Sequence, residues 1–203
     1  MKKVGVAILG LGVVGGGTYR ILTENRAFYR DTQGLDVSVE CVLERNPARA
    51  EALGVPAQDV AGSIEEVVSN PNVDIVVEVI GGVEPARTFV LKALRSGKSV
   101  VTSNKELVCK HWYELEEAAK NMNVGLYFEA SCVGGVPIIR TLLDGTQANR
   151  ISSIMGIING TTNYILTRMA EDGRSYPEVL AEAQALGYAE SDPTADVEGF
   201  DAA

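Results

Sequence analysis

Val4-Gly5-Val6-Ala7-Ile8-Leu9-Gly10-Leu11-Gly12-Val13-Val14-Gly15 is the stretch that decides the fold. Val4–Leu9 is a short apolar run ending in glycine, the pattern of a buried strand. The glycines at 10, 12 and 15 are spaced G-x-G-x-x-G, and Gly15–Thr23, carrying Tyr19, Ile21 and Leu22, opens a helix. Strand, glycine turn and helix in that order are the context a dinucleotide-binding loop requires. Gly10 permits the tight turn, Gly12 lets backbone approach a pyrophosphate, and Gly15 lets helix and strand pack closely. With Leu11, Val13 and Val14 between them, these residues place a helix N-terminus and its free N–H groups against phosphate. The bland alternative is a glycine-rich turn with no ligand. Lys2 and Lys3 before the apolar run imitate a secretory leader, but Gly10, Gly12 and Gly15–Gly17 interrupt it and no cleavage site follows cleanly.

Outward from this unit the alternation continues. Val37–Leu43, Asp74–Ile80, Ser99–Thr102 and Gly125–Glu129 read as further strands. Pro47–Leu53, Ser63–Ser69, Pro85–Ser96 and Lys110–Asn121 read as helices between them. Asn46 caps the first of these and Pro47 takes its first position. Ser63 and Glu66 have capping-box spacing, and Gly97 is a good residue just past a helix end. The polar stretch Asn25–Asp36 reads as a helix end and a loop. The fold class is therefore α/β, a Rossmann-type doubly wound parallel sheet with both faces covered, over residues 1–130. After it the pattern changes, with a boundary near 130–150. Gly134-Gly135-Val136-Pro137 opens a helix through Leu143, Ile151–Ile158 reads as a strand of a different kind, and helices run from Thr162 to Glu171 and from Ser175 to near Gly187. Residues 131–203 are expected to be part of an α+β catalytic and dimerisation domain. Asp201-Ala202-Ala203 looks like the first turn of a helix, an odd place to stop, and suggests a truncated chain.

The chain has 203 residues, 46% hydrophobic and 22% charged, with a net charge of −9. This is globular composition, long enough to bury a core without staples. The acidic total, with no basic stripe, argues against a nucleic-acid partner, and no apolar run is long enough to span a membrane. An anionic ligand must then be held by local backbone N–H groups or a single cation. Three separated cysteines argue against a disulfide framework and fit a reducing cytoplasm. His111 is the only histidine, so a His-based metal cluster or a Ser-His-Asp triad is unsupported. Cys132 lacks a histidine to activate it as a nucleophile. Which nicotinamide cofactor is bound turns on the residues after the second strand, Glu44-Arg45: the carboxylate suits the ribose hydroxyls of NAD, the guanidinium suits the 2′-phosphate of NADP. Both are present, and the choice stays open.

Three further stretches carry a resemblance. Val100-Val101-Thr102-Ser103-Asn104-Lys105-Glu106 follows the fourth strand, Gly156-Ile157-Ile158-Asn159-Gly160-Thr161-Thr162-Asn163-Tyr164 lies in the second region, and Gly187-Tyr188-Ala189-Glu190-Ser191-Asp192-Pro193 leads through Asp196 and Gly199-Phe200-Asp201 to the end. In this order, after the glycine loop, they resemble homoserine dehydrogenase over essentially all of the chain. That resemblance implies interconversion of L-homoserine and aspartate 4-semialdehyde with NAD(P)H, in amino-acid biosynthesis. It implies that Gly10–Gly15 holds the pyrophosphate and that Ser103 and Lys105 lie near the cofactor, Lys105 close to the substrate. It implies that Glu190 and Asp196 bind substrate and that Asp201 belongs to the catalytic set. It also implies a monovalent cation, sodium or potassium, held by Glu129 and the backbone carbonyls of Cys132, Gly134 and Val136, and a homo-oligomer, the dimer being built by the second domain. The family pattern continues Asp-Ala-Ala-x-Lys, that Lys being the usual proton donor, and this sequence ends two positions before it, so the resemblance implies cofactor binding without turnover.

The chemistry agrees with these roles. Hydride transfer to an aldehyde builds negative charge on oxygen, which an ammonium stabilises and can protonate. Lys105 stands at the carboxyl end of a strand, where open α/β sheets bind ligands; alternatively it is a surface Lys paired with Glu106 or Glu129. Glu190 suits a substrate ammonium, although Glu190, Asp192 and Asp196 also read as a solvated acidic loop. Two other functions fit parts of the pattern, an aspartate dehydrogenase and a dinucleotide-sensing binding protein.

Overall fold

A computed structural model describes residues 1–202; the expected helical turn at the end therefore lies partly outside the described residues, at Ala203. The chain packs as two units, Met1–Gln147 and Ala148–Ala203.

In the first unit, strands β1 (Lys2–Leu9), β2 (Leu35–Leu43), β3 (Ile75–Glu78), β4 (Ser99–Thr102) and β5 (Leu126–Tyr127) form one sheet in the order β2-β1-β3-β4-β5, every pairing parallel. Parallel neighbours require crossovers. Helices α1 (Val13–Glu24) and α2 (Arg26–Gln33) connect β1 to β2, and α3 (Pro47–Ala52) and α4 (Ile64–Ser69) lead to β3. The helices α5 (Ala86–Arg95) and α6 (Lys105–Met122) connect β3 to β4 and β4 to β5. Alternation along β1 splits the core between the two faces. Val6 and Ile8 pack with Leu11, Val42, Ala50 and Val77, and Tyr19 and Leu22 of α1 lie against them. Ala7 and Leu9 pack on the other side with Val76, Val90, Leu94, Val100, Leu107 and Leu115. That two-sided burial is why Val4–Leu9 and Ile75–Val77 read as near-continuous apolar runs. The strand order reverses between β1 and β3, which opens a crevice at their carboxyl ends.

Several elements differ from the sequence reading. Asn25–Asp36 is not a loop: α2 occupies most of it, closed by Gly34 in the left-handed region at φ 67°. Arg26 and Arg30 of this helix reach Asp36 at 2.7 and 3.5 Å. It buries no residue, so no apolar stripe marked it. Helix α6 begins at Lys105, earlier than Lys110, because the Asn104 side chain caps it by accepting from Leu107 N–H at 3.1 Å. A kink at His111 (φ −128°, ψ 20°) interrupts it, which hid its true length. Strand β5 is only two residues long and gives way to a tight turn at Glu129–Ser131. The helix expected from Gly134 through Leu143 starts at Ile139 and ends in a wide turn, Thr141–Gly145.

The second unit contains α7 (Gly160–Asp172), α8 (Tyr176–Ala185) and the short α9 (Thr194–Val197). Ile165, Val179, Ala183 and Ala189 form its small core. The expected strand Ile151–Ile158 has no regular structure. A strand needs a hydrogen-bonded neighbour, and the described residues of this unit offer only helices. Ile154 and Met155 are consequently 73% and 99% exposed. Asp201 and Ala202 lie in a turn after α9, not in a helix.

Glu182 of α8 ties this unit together. Its carboxylate accepts from the Tyr164 hydroxyl and from Arg174, and from Arg168 at 3.2 Å. Those donors, Tyr164 first and Arg174 next, lower its pKa from 4.5 to about 2. A depressed carboxyl contributes stability above its unfolded pKa and loses it as pH falls through the folded one. The α7–α8 pair is therefore expected to lose stability between 4.5 and about 2. NMR-monitored acid titration of unit-two resonances checks this, and Glu182→Gln should remove the step; an unaltered profile contradicts it.

Candidate functional site

The glycine loop crosses the carboxyl end of β1. Gly10 adopts φ +92°, which an L side chain resists, and a Cβ there would sit 3.1 Å from Val79 O. At Gly15 a Cβ would lie 1.9 Å from Gly10 O and 3.0 Å from Val79 Cγ2, so only glycine lets α1 pass this close to β1 and β3. Gly12 is different. A Cβ there would meet no atom within 4 Å. Nothing among the described residues requires glycine at 12, and the open space lies on the wall of a cleft of about 360 Å³. Gly12 is also the N-cap of α1, with no side-chain cap, so the first N–H groups of that 12-residue helix lack side-chain acceptors. A loop that must be glycine-lined on its inner side and is left open on its outer side fits a pyrophosphate.

Gly10, Gly12, Glu44, Arg45, Arg49, Ser63, Ile64, Ile80 and Phe89 are among the residues lining the cleft. Glu44, at the end of β2, has both carboxylate oxygens engaged. Oε2 accepts from Leu11 N–H at 2.6 Å and Oε1 accepts from Asn46 N–H at 2.8 Å. Arg49 approaches Oε2 to 3.7 Å. Burial opposes ionisation of Glu44, but the Asn46 and Leu11 N–H groups and then Arg49 outweigh it and hold the carboxyl below the usual glutamate range. Glu44 thus fixes the glycine loop from behind, a role the sequence did not show. Arg45 is exposed on the cleft.

At the ends of β3 and β4 the loops are built on a buried carboxylate. Glu78 is fully buried. Its Oε1 accepts from Ile80 N–H at 2.8 Å and Gly81 N–H at 3.4 Å, and its Oε2 accepts from the Thr102 hydroxyl at 2.6 Å. Thr102 Oγ1 accepts from Asn104 N–H at 3.0 Å, and Asn104 Nδ2 donates to Gly82 O at 2.6 Å. Ser103 N–H reaches Glu78 O at 3.4 Å. Lys105 follows as the first residue of α6, with its side chain exposed. Ser103 and Lys105 therefore stand on one sheet edge with the glycine loop. Glu78 was missed, although a lone acid inside the apolar run Ile75–Ile80 was a visible signal.

Glu129 does something the sequence did not anticipate. Its carboxylate accepts from Ile138 N–H (2.6 Å), Ile139 N–H (3.0 Å) and Arg140 N–H (2.7 Å). Burial works against the charge, but these three donors, Arg140's first, keep the carboxyl below its ordinary range. Between Glu129 and Ile138 the chain folds back tightly: Val133 has φ +42°, Gly135 φ +83°, and Val136 N–H bonds to Val133 O at 2.9 Å. No cluster of three or more His, Cys, Asp or Glu able to hold a metal occurs among the described residues.

In the second unit, Asn159 Nδ2 donates to Asp196 Oδ1 at 2.7 Å and to Asp201 Oδ2 at 3.0 Å. Asn159 Oδ1 caps α7, accepting from Thr162 N–H at 2.8 Å. One amide therefore brings together two of the carboxylates singled out in the sequence. Glu190 is exposed, and its carbonyl accepts from Gln184 Nε2 at 2.9 Å. No helix among the described residues is long and apolar enough to cross a membrane.

A five-stranded parallel sheet with a glycine loop at its switch point defines a Rossmann-type NAD-binding fold. Family models agree: homoserine dehydrogenase, NAD binding domain, matches residues 10–129, and homoserine dehydrogenase matches residues 137–203. The chain belongs to the homoserine dehydrogenase family. It is 45% identical over 203 residues to homoserine dehydrogenase of Bacillus subtilis, covering all of this chain and 47% of that protein. It is 48% identical to that of Pseudomonas aeruginosa, covering all of this chain and 46% of the relative. The solved homoserine dehydrogenase of Thiobacillus denitrificans superposes with a TM-score of 0.88 at 48% identity, over 100% of this chain and 47% of that one. A hyperthermophilic archaeal homoserine dehydrogenase in complex with NADPH superposes with a TM-score of 0.76 at 30% identity, over 98% of this chain and 66% of that one. The chain spans about half the length of the curated relatives it matches.

Proposed function

We propose that this chain is the cofactor-binding part of a homoserine dehydrogenase, with some of its substrate-binding residues, and that it prefers NADPH. The observation carrying the reading is Gly12, whose missing side chain serves no packing within the protein and leaves room on the cleft wall for a pyrophosphate. Residues 1–130 form the nucleotide domain on this reading, and residues 131–203 belong to a substrate and dimerisation domain, the assembled protein being a cytoplasmic homo-oligomer. The nicotinamide supplies and accepts the hydride. Gly10–Gly15 orient the dinucleotide, with Val13 and Val14 offering backbone N–H groups, the Leu11 N–H being held by Glu44, and Ser103 lying beside it. Lys105 stabilises the developing alkoxide and can donate a proton to it. Glu190 and Asp196 hold the substrate ammonium, and Asp201 supports the catalytic set. The family likeness supports these roles, as does the shared amide of Asn159 for the two aspartates.

A monovalent cation, sodium or potassium, would be held by Glu129 and the carbonyls of Cys132, Gly134 and Val136. The donor set is all oxygen with a single formal charge, which suits such a hard ion. The Glu129 oxygens already accept N–H groups, so the carboxylate would share rather than dedicate its lone pairs.

The preference for NADPH follows from Glu44 being committed to backbone N–H groups while Arg45 stays exposed on the cleft. The archaeal relative in complex with NADPH supports it. Arg45→Ala is expected to weaken NADPH about tenfold or more, the scale of one charge-assisted hydrogen bond, and to leave NADH nearly unchanged. Calorimetric titration with both cofactors checks this. Equal weakening of the two would remove Arg45 from the 2′-phosphate site.

A further inference from the structure

We propose that Glu78 is a positioning residue for the nicotinamide end of the bound dinucleotide, acting through the loop Ile80–Gly82 and the segment Thr102–Lys105. The inference rests on the nucleotide-binding reading given above.

The strand order fixes the direction. A pyrophosphate over Gly10–Gly15 sits at the end of β1. Arg45, which discriminates the adenosine ribose on that reading, follows β2 on one side. The other half of the dinucleotide must then run the opposite way, over the carboxyl ends of β3 and β4. Both ends are fastened to one carboxylate. Glu78 takes two N–H groups of the β3 loop and the hydroxyl of Thr102 on β4. Thr102 passes the constraint to Asn104, which holds Gly82 O and caps α6 immediately before Lys105. Glu78 is fully buried, so it touches no ligand itself. A buried ionisable side chain costs free energy unless it is fully bonded, and an apolar residue would serve the sheet at this position. What the carboxylate does that an apolar residue would not is accept hydrogen bonds from both loops at once.

The experiment compares two probes on this chain: NADPH, followed by nicotinamide fluorescence, and adenosine 2′,5′-bisphosphate, which lacks the nicotinamide half. Glu78→Gln keeps the shape but turns one acceptor into a donor. It is expected to raise the Kd of NADPH about tenfold and suppress the emission gain on binding, with bisphosphate affinity changed by no more than about twofold. Thr102→Val, which removes the link to Asn104 and preserves strand shape, should reproduce the split, and Thr102→Ser should restore it; this pair decides the matter if Glu78→Gln does not fold. Equal loss for both probes would make Glu78 a structural prop only and overturn the proposal. Unchanged binding of both would also overturn it. Failure of the unaltered chain to bind either probe would instead overturn the nucleotide-binding reading, and this proposal with it.

Discussion

Gly15→Ala is expected to destabilise the nucleotide-binding unit by about 3 kcal/mol, a size typical of overpacking. The added Cβ would fall 1.9 Å from Gly10 O, a backbone atom that no rotamer change can move. Relief requires α1 to shift from β1, which also opens the contact to Val79. At roughly 2–4 °C per kcal/mol for a unit of this size, the melting transition should fall by about 6–12 °C. Differential scanning calorimetry measures it directly. A change below about 2 °C would mean that the loop and helix do not approach as described. Gly16→Ala is the control, because its Cβ would come no nearer than 3.4 Å, to the flexible tip of Leu53.

The second large effect concerns Lys105. In an enzyme of full family length carrying this segment, Lys105→Ala is expected to lower kcat about 100-fold or more, the contribution typical of a general acid. Lys105 is the first residue of α6, held in place by the Asn104 cap and the hydrogen-bond chain back to Glu78. The loss should therefore fall on kcat with little change in melting temperature, since the side chain is exposed. Steady-state homoserine oxidation beside a thermal melt separates the two. An unchanged kcat would remove Lys105 from the chemistry.

The sheet was legible because its strands are buried on both faces. Val4–Leu9 and Asp74–Ile80 could hardly be anything else, and the glycine spacing named the crevice between them. What escaped was whatever depends on partners distant in sequence. The helix α2 has no apolar stripe and is anchored by Arg26 and Arg30 to Asp36, a pairing that no local pattern announces. Ile151–Ile158 has strand composition, but composition cannot supply a neighbour to pair with, and the segment stays irregular. At the site, Gly10, Gly12 and Gly15 each had a reason in the sequence, and the structure gives each a distinct one. Glu44 and Glu129 were recognised as important carboxylates, but the sequence could not show that backbone N–H groups occupy them. Asn159 was visible only as a turn and a helix cap. Its second task, bridging Asp196 and Asp201, joins residues about forty positions apart.

The most direct test of the account is a calorimetric titration of NADPH into this chain and into Gly12→Val, with melting curves for both. The unaltered chain should bind. Gly12→Val, whose Cβ points into space empty of protein atoms, should melt within about 2–3 °C of it and bind at least about tenfold more weakly. Equal binding by the two would contradict the central claim, because the space at Gly12 would then not be where the pyrophosphate lies.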